Sequence, residues 1–193
     1  MQLELLKSIP TNYIGKHIYY YDEIDSTQLE AKRLARNKLP NGCIFLANNQ
    51  LSGRGTKNRI WYTENGKNLT FTILLYPNCS MEHLANLTTK IAHCIIKAVY
   101  DLYGYNLEIK NPNDIMYHGK KLGGILTESA TIGENISYLL IGIGLNINQE
   151  IFEEEIKNIA TSLKKEFHIE FSKEQILMEF CKIFEEEYEK IIK

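Results

Sequence analysis

An α+β fold, in which a mixed, largely antiparallel sheet packs against helices, is what this sequence predicts, and three observations predict it. Strand-like runs joined by links too short for a crossover helix fill residues 107–145. Two stretches with an apolar stripe at helical spacing occupy residues 81–103 and much of 150–193. A strand–helix–strand passage opens the chain.

Taken in order, His17-Ile18-Tyr19-Tyr20-Tyr21 reads as a strand, and Asp25-Ser26-Thr27 opens a helix with Ala31, Leu34 and Ala35 on one face. Thr27 and Glu30 have the spacing of a capping box. Pro40-Asn41-Gly42 is a turn, residues 43–47 a short buried strand, and a polar glycine-containing loop follows. Leu69, Phe71, Ile73 and Leu75 alternate with Thr70 and Thr72 in a strand that Pro77 ends. Leu84, Leu87, Ile91, Ile95, Ala98, Val99 and Leu102 form the stripe of one long helix over 81–103. Strands at 107–110, 115–117, 122–129 and 136–145, linked by turns at Asn111-Pro112-Asn113, His118-Gly119-Lys120 and Gly133-Glu134-Asn135, make an antiparallel meander. From residue 150 the pattern turns helical. Ser172 and Gln175 have capping-box spacing, Ile176, Phe180, Ile183, Phe184, Tyr188 and Ile191 share a face, and Glu185-Glu186-Glu187 is expected to be solvated.

At 193 residues the chain suffices for a large core, since a domain of this size buries roughly 70% of the surface of its unfolded chain. A net charge of −2 provides no global basic field, so nucleic acid is not expected as a partner. Cys43, Cys79, Cys94 and Cys181 lack metal-ligand or paired spacing and read as reduced core thiols. No run approaches the ~18 apolar residues of a membrane span and no basic leader opens the sequence, so the expectation is a cytoplasmic protein with no membrane partner.

No nucleophile motif is present, and His17, His83, His93, His118 and His168 show no ligand spacing. What stands out is cationic: Arg54, Lys57 and Arg59 in a glycine-punctuated loop ending at Trp61, Lys110 at a strand end, and Lys120 and Lys121 before Gly123-Gly124. Glycines beside cations offer free backbone N–H groups and positive charge to a phosphate or carboxylate. Activating a carboxylate with ATP forces two anions together, and fixed lysine and arginine groups stabilise that encounter. Asn113-Asp114 has the oxygen chemistry for Mg²⁺ or a ribose. Read alone, Ser26 and Thr27 would be a helix cap.

Six blocks in order carry a resemblance: Ile24-Asp25-Ser26-Thr27-Gln28, Gly53 to Trp61, Lys110 to Asp114, Lys121 to Glu128, Gly142-Ile143-Gly144-Leu145-Asn146, and Ile159-Ala160-Thr161-Ser162-Leu163. They resemble the motifs of the biotin protein ligases. The resemblance implies a catalytic domain of the class II aminoacyl-tRNA synthetase and biotin ligase type over residues 1–193. It implies biotin as substrate, ATP and Mg as cofactors, and biotinyl transfer through biotinyl-5′-AMP to a lysine of a biotin carboxyl carrier protein. Homodimer formation is left open.

On the matching positions, Lys121 and Arg54 would be catalytic, and Ser26, Thr27, Gln50, Gly53, Arg54, Gly55, Lys121 and Gly124 would bind biotin. Thr56, Lys57, Arg59, Trp61, Lys110, Asn113, Asp114 and Asn146 would serve the nucleotide. No protein cage for a metal is implied beyond Mg²⁺ through Asp114. Lipoate or octanoate ligation on the same fold and a non-catalytic biotin-binding module are the alternatives. Two departures from the family pattern stand out. Thr56 replaces the second arginine of Gly-Arg-Gly-Arg, so Lys57 or Arg59 substitutes or the adenylate is held less tightly. Lys110-Asn111 stands for Lys-Trp. Neither an N-terminal helix-turn-helix nor a C-terminal SH3-like barrel is expected in this length.

Overall fold

The computed structural model describes residues 1–133 and 135–193, and for Asn58 the backbone alone. The Glu134 position of the expected 133–135 turn lies outside the described residues. Among the described residues seven strands form one sheet: β1 (Ile18–Ile24), β2 (Cys43–Gln50), β3 (Leu69–Leu75), β4 (Glu108–Lys110), β5 (Asp114–Tyr117), β6 (Lys120–Ile132) and β7 (Asn135–Leu145). Their order is β1-β2-β3-β7-β6-β5-β4. Among these seven described strands only β1 and β2 pair in parallel, as their separation by a crossover helix requires; the other strand pairings are antiparallel. The mixed α+β sheet expected from the short links is therefore present.

Among the described residues there are five α-helices: α1 (Leu3–Leu6), α2 (Thr27–Leu34), α3 (Leu87–Tyr103), α4 (Leu163–Phe167) and α5 (Lys173–Ile191). The main core lies between one sheet face and α3 and α5, where Phe71 meets Phe180 edge-on at 5.7 Å between ring centroids. On the opposite face α2 packs a smaller core of Ala31, Ala35, Phe45, Leu74 and Leu140. Every residue of β3 is buried, so the alternation read from its sequence separates two covered faces rather than core from solvent. Thr70 and Thr72 point to the α2 side, the side on which the site is built.

Four local readings are corrected. The helix expected over 81–103 is broken: a 3₁₀ turn (Met81–Leu84) precedes Asn86, whose φ of 60° is left-handed, and regular helix starts at Leu87. Asparagine tolerates that conformation, and hydrophobic spacing does not register it. The Thr27–Glu30 capping box is not formed, because Thr27 turns to Gln50 and Thr72 while Glu30 pairs with Arg33 at 2.8 Å. Residues 150–162 are largely irregular, with helix confined to α4 and α5. Glu185 is buried rather than solvated, 5% exposed, and accepts the backbone N–H groups of Asn12, Tyr13 and Ile14 at 2.5–3.0 Å. A carboxylate can be interred when several donors satisfy it. Among the described residues no helix is long and apolar enough to cross a membrane.

Candidate active site

The site is shaped by side chains that are missing. On the α2 side of the sheet, Gly124 of β6 pairs with Gly144 of β7, and Gly142 lies two residues earlier on the same face. With no Cβ at these positions the sheet carries a trough, and two neighbours fill its slots. The Trp61 indole lies over Gly144, where an added Cβ would stand 2.6 Å from Nε1 and 2.7 Å from Cζ2. The Gln28 amide lies over Gly142, where a Cβ would stand 2.5 Å from Oε1.

The glycine-punctuated loop is a small hairpin. Arg54 bridges Ile60, Gly55 N–H donates to the Arg59 carbonyl at 2.8 Å, and Trp61 N–H donates to the Gly53 carbonyl at 2.8 Å. The Gly55 amide expected to be free is thus engaged. A tight turn over Thr56–Asn58 places Lys57 at φ 57°, with its side chain exposed. Arg59 folds back on the turn, its Nη2 donating to Thr56 Oγ1 at 3.0 Å and its Nε to the Thr56 carbonyl at 3.3 Å. Arg59, not Lys57, is therefore the cation held beside residue 56.

Two cavities meet at this hairpin. The first is narrow, with about 40 Å³ of free volume. Ser26, Thr27, Gln50, Arg54, Asn113 and Gly124 line it, together with the apolar Phe71, Ile125 and Ile143. The second, with about 160 Å³ of free volume, is lined by Arg59, Tyr62, Asn146, Ile156 and Ile159. Gly55, Thr56, Trp61 and Lys121 line both.

Lys121 stands at the junction. Its Nζ pairs with Asp114 Oδ1 at 2.7 Å, both side chains mostly buried, and lies 5.6 Å from the Trp61 ring centroid. Its backbone is gripped by a distant segment: Lys121 N–H donates to the Ile159 carbonyl at 2.7 Å and Thr161 N–H to the Lys121 carbonyl at 2.8 Å. Ser26 is the N-cap of α2 but makes no side-chain cap; its hydroxyl is buried without a partner, and the residue lines the first cavity. Gln50 Oε1 accepts the Thr27 N–H at 2.8 Å.

Of the residues nominated from sequence, Ser26, Thr27, Gln50, Arg54, Gly55, Lys121 and Gly124 share the first cavity. Gly53 lines neither cavity; a side chain there would collide with the Trp61 carbonyl, so its smallness closes the hairpin. Thr56 and Trp61 border both cavities, and Arg59 and Asn146 the second. Asn146 also ties its amide to the Thr161 carbonyl at 3.0 Å. Asn113, read as a nucleotide residue, lines the first cavity instead. Lys57 and Lys110 are exposed and line neither, Lys110 because it ends the edge strand β4 opposite Asp114. Asp114 is committed to Lys121, and among the described residues no group of three or more His, Cys, Asp or Glu side chains could hold a metal. Gln28, Thr72, Gly142 and Gly144 line the first cavity without having been nominated. The Gly-x-Gly spacing in a strand was the available signal, since it marks close approach to the backbone.

Residues 20–146 match the profile of the biotin/lipoate A/B protein ligase family. The bifunctional ligase/repressor BirA of Bacillus subtilis (strain 168) is 33% identical over 187 residues, covering 96% of this chain and 58% of that protein. The biotin–[acetyl-CoA-carboxylase] ligase of Paracoccus denitrificans is 36% identical over 129 residues, 64% of this chain and 51% of that one. Among solved structures, the biotin protein ligase from Aquifex aeolicus in complex with biotin and ATP aligns with a TM-score of 0.77 at 28% identity, covering 92% of this chain and 72% of that chain. The chain therefore spans between 51% and 58% of the length of these two curated relatives.

Proposed function

Because the chain belongs to the biotin/lipoate A/B protein ligase family, we propose that it is an ATP-dependent biotin protein ligase. In this reading a biotin carboxylate oxygen attacks the α-phosphorus of ATP, the bond to the β-phosphate oxygen breaks, and pyrophosphate leaves. A lysine amine of a biotin carboxyl carrier protein then attacks the acyl carbon of biotinyl-5′-AMP, loses its proton, and AMP departs.

One observation carries the reading: the two cavities share Lys121. A cleft lined by buried hydroxyl, amide and apolar groups suits a neutral ring system with a tail, and the adjoining cavity with Arg59 suits a nucleotide. Their common boundary is where carboxylate and phosphate would meet. A mostly buried ammonium there is positioned to stabilise the charge that accumulates at phosphorus, in a setting where such groups act far more strongly than in water. Asp114, 2.7 Å away, holds that ammonium in place. Arg54, lining the first cavity, is the second cation for the carboxylate. The unpartnered Ser26 hydroxyl is an orphan that a polar ring ligand would satisfy.

Arg59, Trp61, Thr56 and Asn146 form the nucleotide side, and Arg59 takes the place of the arginine that Thr56 lacks. Lys57 and Lys110 have no part in this proposal. Asp114 is already engaged, so the residues present do not build a resident magnesium site. The relatives named as biotin ligases and the structural neighbour holding biotin and ATP support biotin over lipoate.

The test is exchange of labelled pyrophosphate into ATP by the purified chain, with biotin, lipoate or neither, followed by transfer to a carrier domain. Biotin-dependent exchange and carrier labelling are expected. Exchange stimulated only by lipoate, or biotin binding with no pyrophosphate release, would replace the proposal with one of the alternatives.

A further inference from the structure

We propose that Glu128 is a positioning residue: it fixes which end of the Gln28 side-chain amide faces the first cavity, so that the pocket presents a hydrogen-bond acceptor there. This rests on the biotin reading given above. Gln28, on α2, is 3% exposed and lies in the slot left by Gly142. Its Nε2 donates to Glu128 Oε2 at 2.8 Å and its Oε1 accepts from Thr72 Oγ1 at 3.2 Å. Thr72 is in turn 3.0 Å from Thr27 Oγ1, so the chain of bonds ends among the cavity's own polar groups.

The donor and acceptor inventory settles the direction of this chain. A glutamine amide has one end that donates and one that accepts, and in shape the two are nearly interchangeable. A carboxylate accepts only, so the NH₂ end must turn to Glu128 and the carbonyl oxygen is left on the cavity side. The bond is charge-assisted and correspondingly stronger than a neutral one. Lys32, on the same helix as Gln28, pairs with the other carboxylate oxygen of Glu128 at 3.2 Å and keeps it aimed. Glu128 itself lies outside the cavity lining and acts through Gln28.

An acceptor at this point favours a ligand whose ring carries N–H donors, as the ureido ring of biotin does and the dithiolane ring of lipoate does not. A site built to accept a hydrogen bond rejects an analogue that lacks the donor, because its buried polar group is left unpaired. Glutamine at 128 would present either an oxygen or an NH₂ to Gln28, and the orientation of the amide would no longer be specified.

The experiment is biotin-dependent pyrophosphate exchange by the wild type, Glu128→Gln, Glu128→Asp, Gln28→Ala and the Gln28→Ala/Glu128→Gln double variant. Glu128→Gln is expected to raise KM for biotin about 3- to 10-fold, the scale of one hydrogen bond, with kcat within about twofold. Glu128→Asp, which keeps the acceptor-only group, should recover most of that loss, and Glu128→Gln should add nothing in the Gln28→Ala background. An unchanged KM in Glu128→Gln, a Glu128→Asp no better than it, or additive losses in the double variant would overturn the inference while leaving the biotin reading intact. A wild type without biotin-dependent exchange would sink the biotin reading, and this inference with it.

Discussion

Replacing Gly144 with alanine tests the glycine trough at its tightest point. The added methyl would stand 2.6 Å from Trp61 Nε1 and 2.7 Å from Cζ2. Ordinary van der Waals contact begins near 3.4 Å and Cε2 lies closer still, so the indole must retreat by about 1 Å or leave the slot. Overpacking of this kind typically costs ~1–3 kcal/mol. In a domain of this length that corresponds to a fall in Tm of about 2–12 °C. The readout is specific because the chain contains a single tryptophan. Displacement should shift its emission to the red and raise its acrylamide quenching. Gly124→Ala, with its nearest contacts at 3.2 Å to Trp61 Cζ3 and 3.3 Å to Lys121 Nζ, should give a smaller shift of the same sign. Gly142→Ala, which strikes Gln28 at 2.5 Å, should leave the emission where it is. Emission and quenching in Gly144→Ala indistinguishable from the wild type would refute the placement of the indole in this slot.

Lys121→Ala should slow adenylation several hundredfold, because a well-placed group of this kind contributes ~3–4 kcal/mol to the transition state; near-normal single-turnover rates would remove Lys121 from the reaction. Glu185→Ala leaves three backbone donors of residues 12–14 without their acceptor and should cost about 3 kcal/mol or more, seen as a lower urea midpoint and faster proteolysis within the first 16 residues. Native alkylation at pH 8 should modify Cys79 first: burial raises all four thiols, pushing Cys43 up to about 11 and Cys94 up to about 12, and only Cys79 is not fully buried. Peptide mapping that finds Cys43, Cys94 or Cys181 labelled as fast would contradict the packing of the two cores. Wild-type protein incubated with biotin and ATP should label free lysines little if Arg59 covers the Thr56 position, and Arg59→Ala should increase that labelling several-fold; equal labelling of both would assign Arg59 no such role.

Strands and helices were legible where burial follows a period. The stripe over 87–103 and the alternation at 69–75 each locate their element, because sheet and helix faces repeat at fixed intervals. Asn86 was not legible, since a single left-handed residue leaves the apolar spacing on either side unchanged. The fate of Glu185 was hidden for another reason: its partners are main-chain amides from the far end of the sequence, and backbone donors leave no trace in residue identities. In the candidate site the cationic loop and Gly123-Gly124 drew attention to Arg54 and Lys121, whose cavities the structure joins. Charge alone also nominated Lys57 and Lys110. Whether a cation points inward depends on the hairpin turn in one case and on an edge strand in the other. Gln28 escaped notice because its role depends on Gly142, 114 positions away, having no side chain.

The grip of residues 159–161 on the main chain of Lys121 gives the junction lysine a remote tether. Residues 150–162 have little regular structure of their own, yet through two short backbone hydrogen bonds they anchor the strand that carries the ammonium. The same segment brings Ile156 and Ile159 into the lining of the second cavity. Residues 156–161 are thus shared between the wall of the second cavity and the mooring of its lysine, and an insertion there disturbs both together.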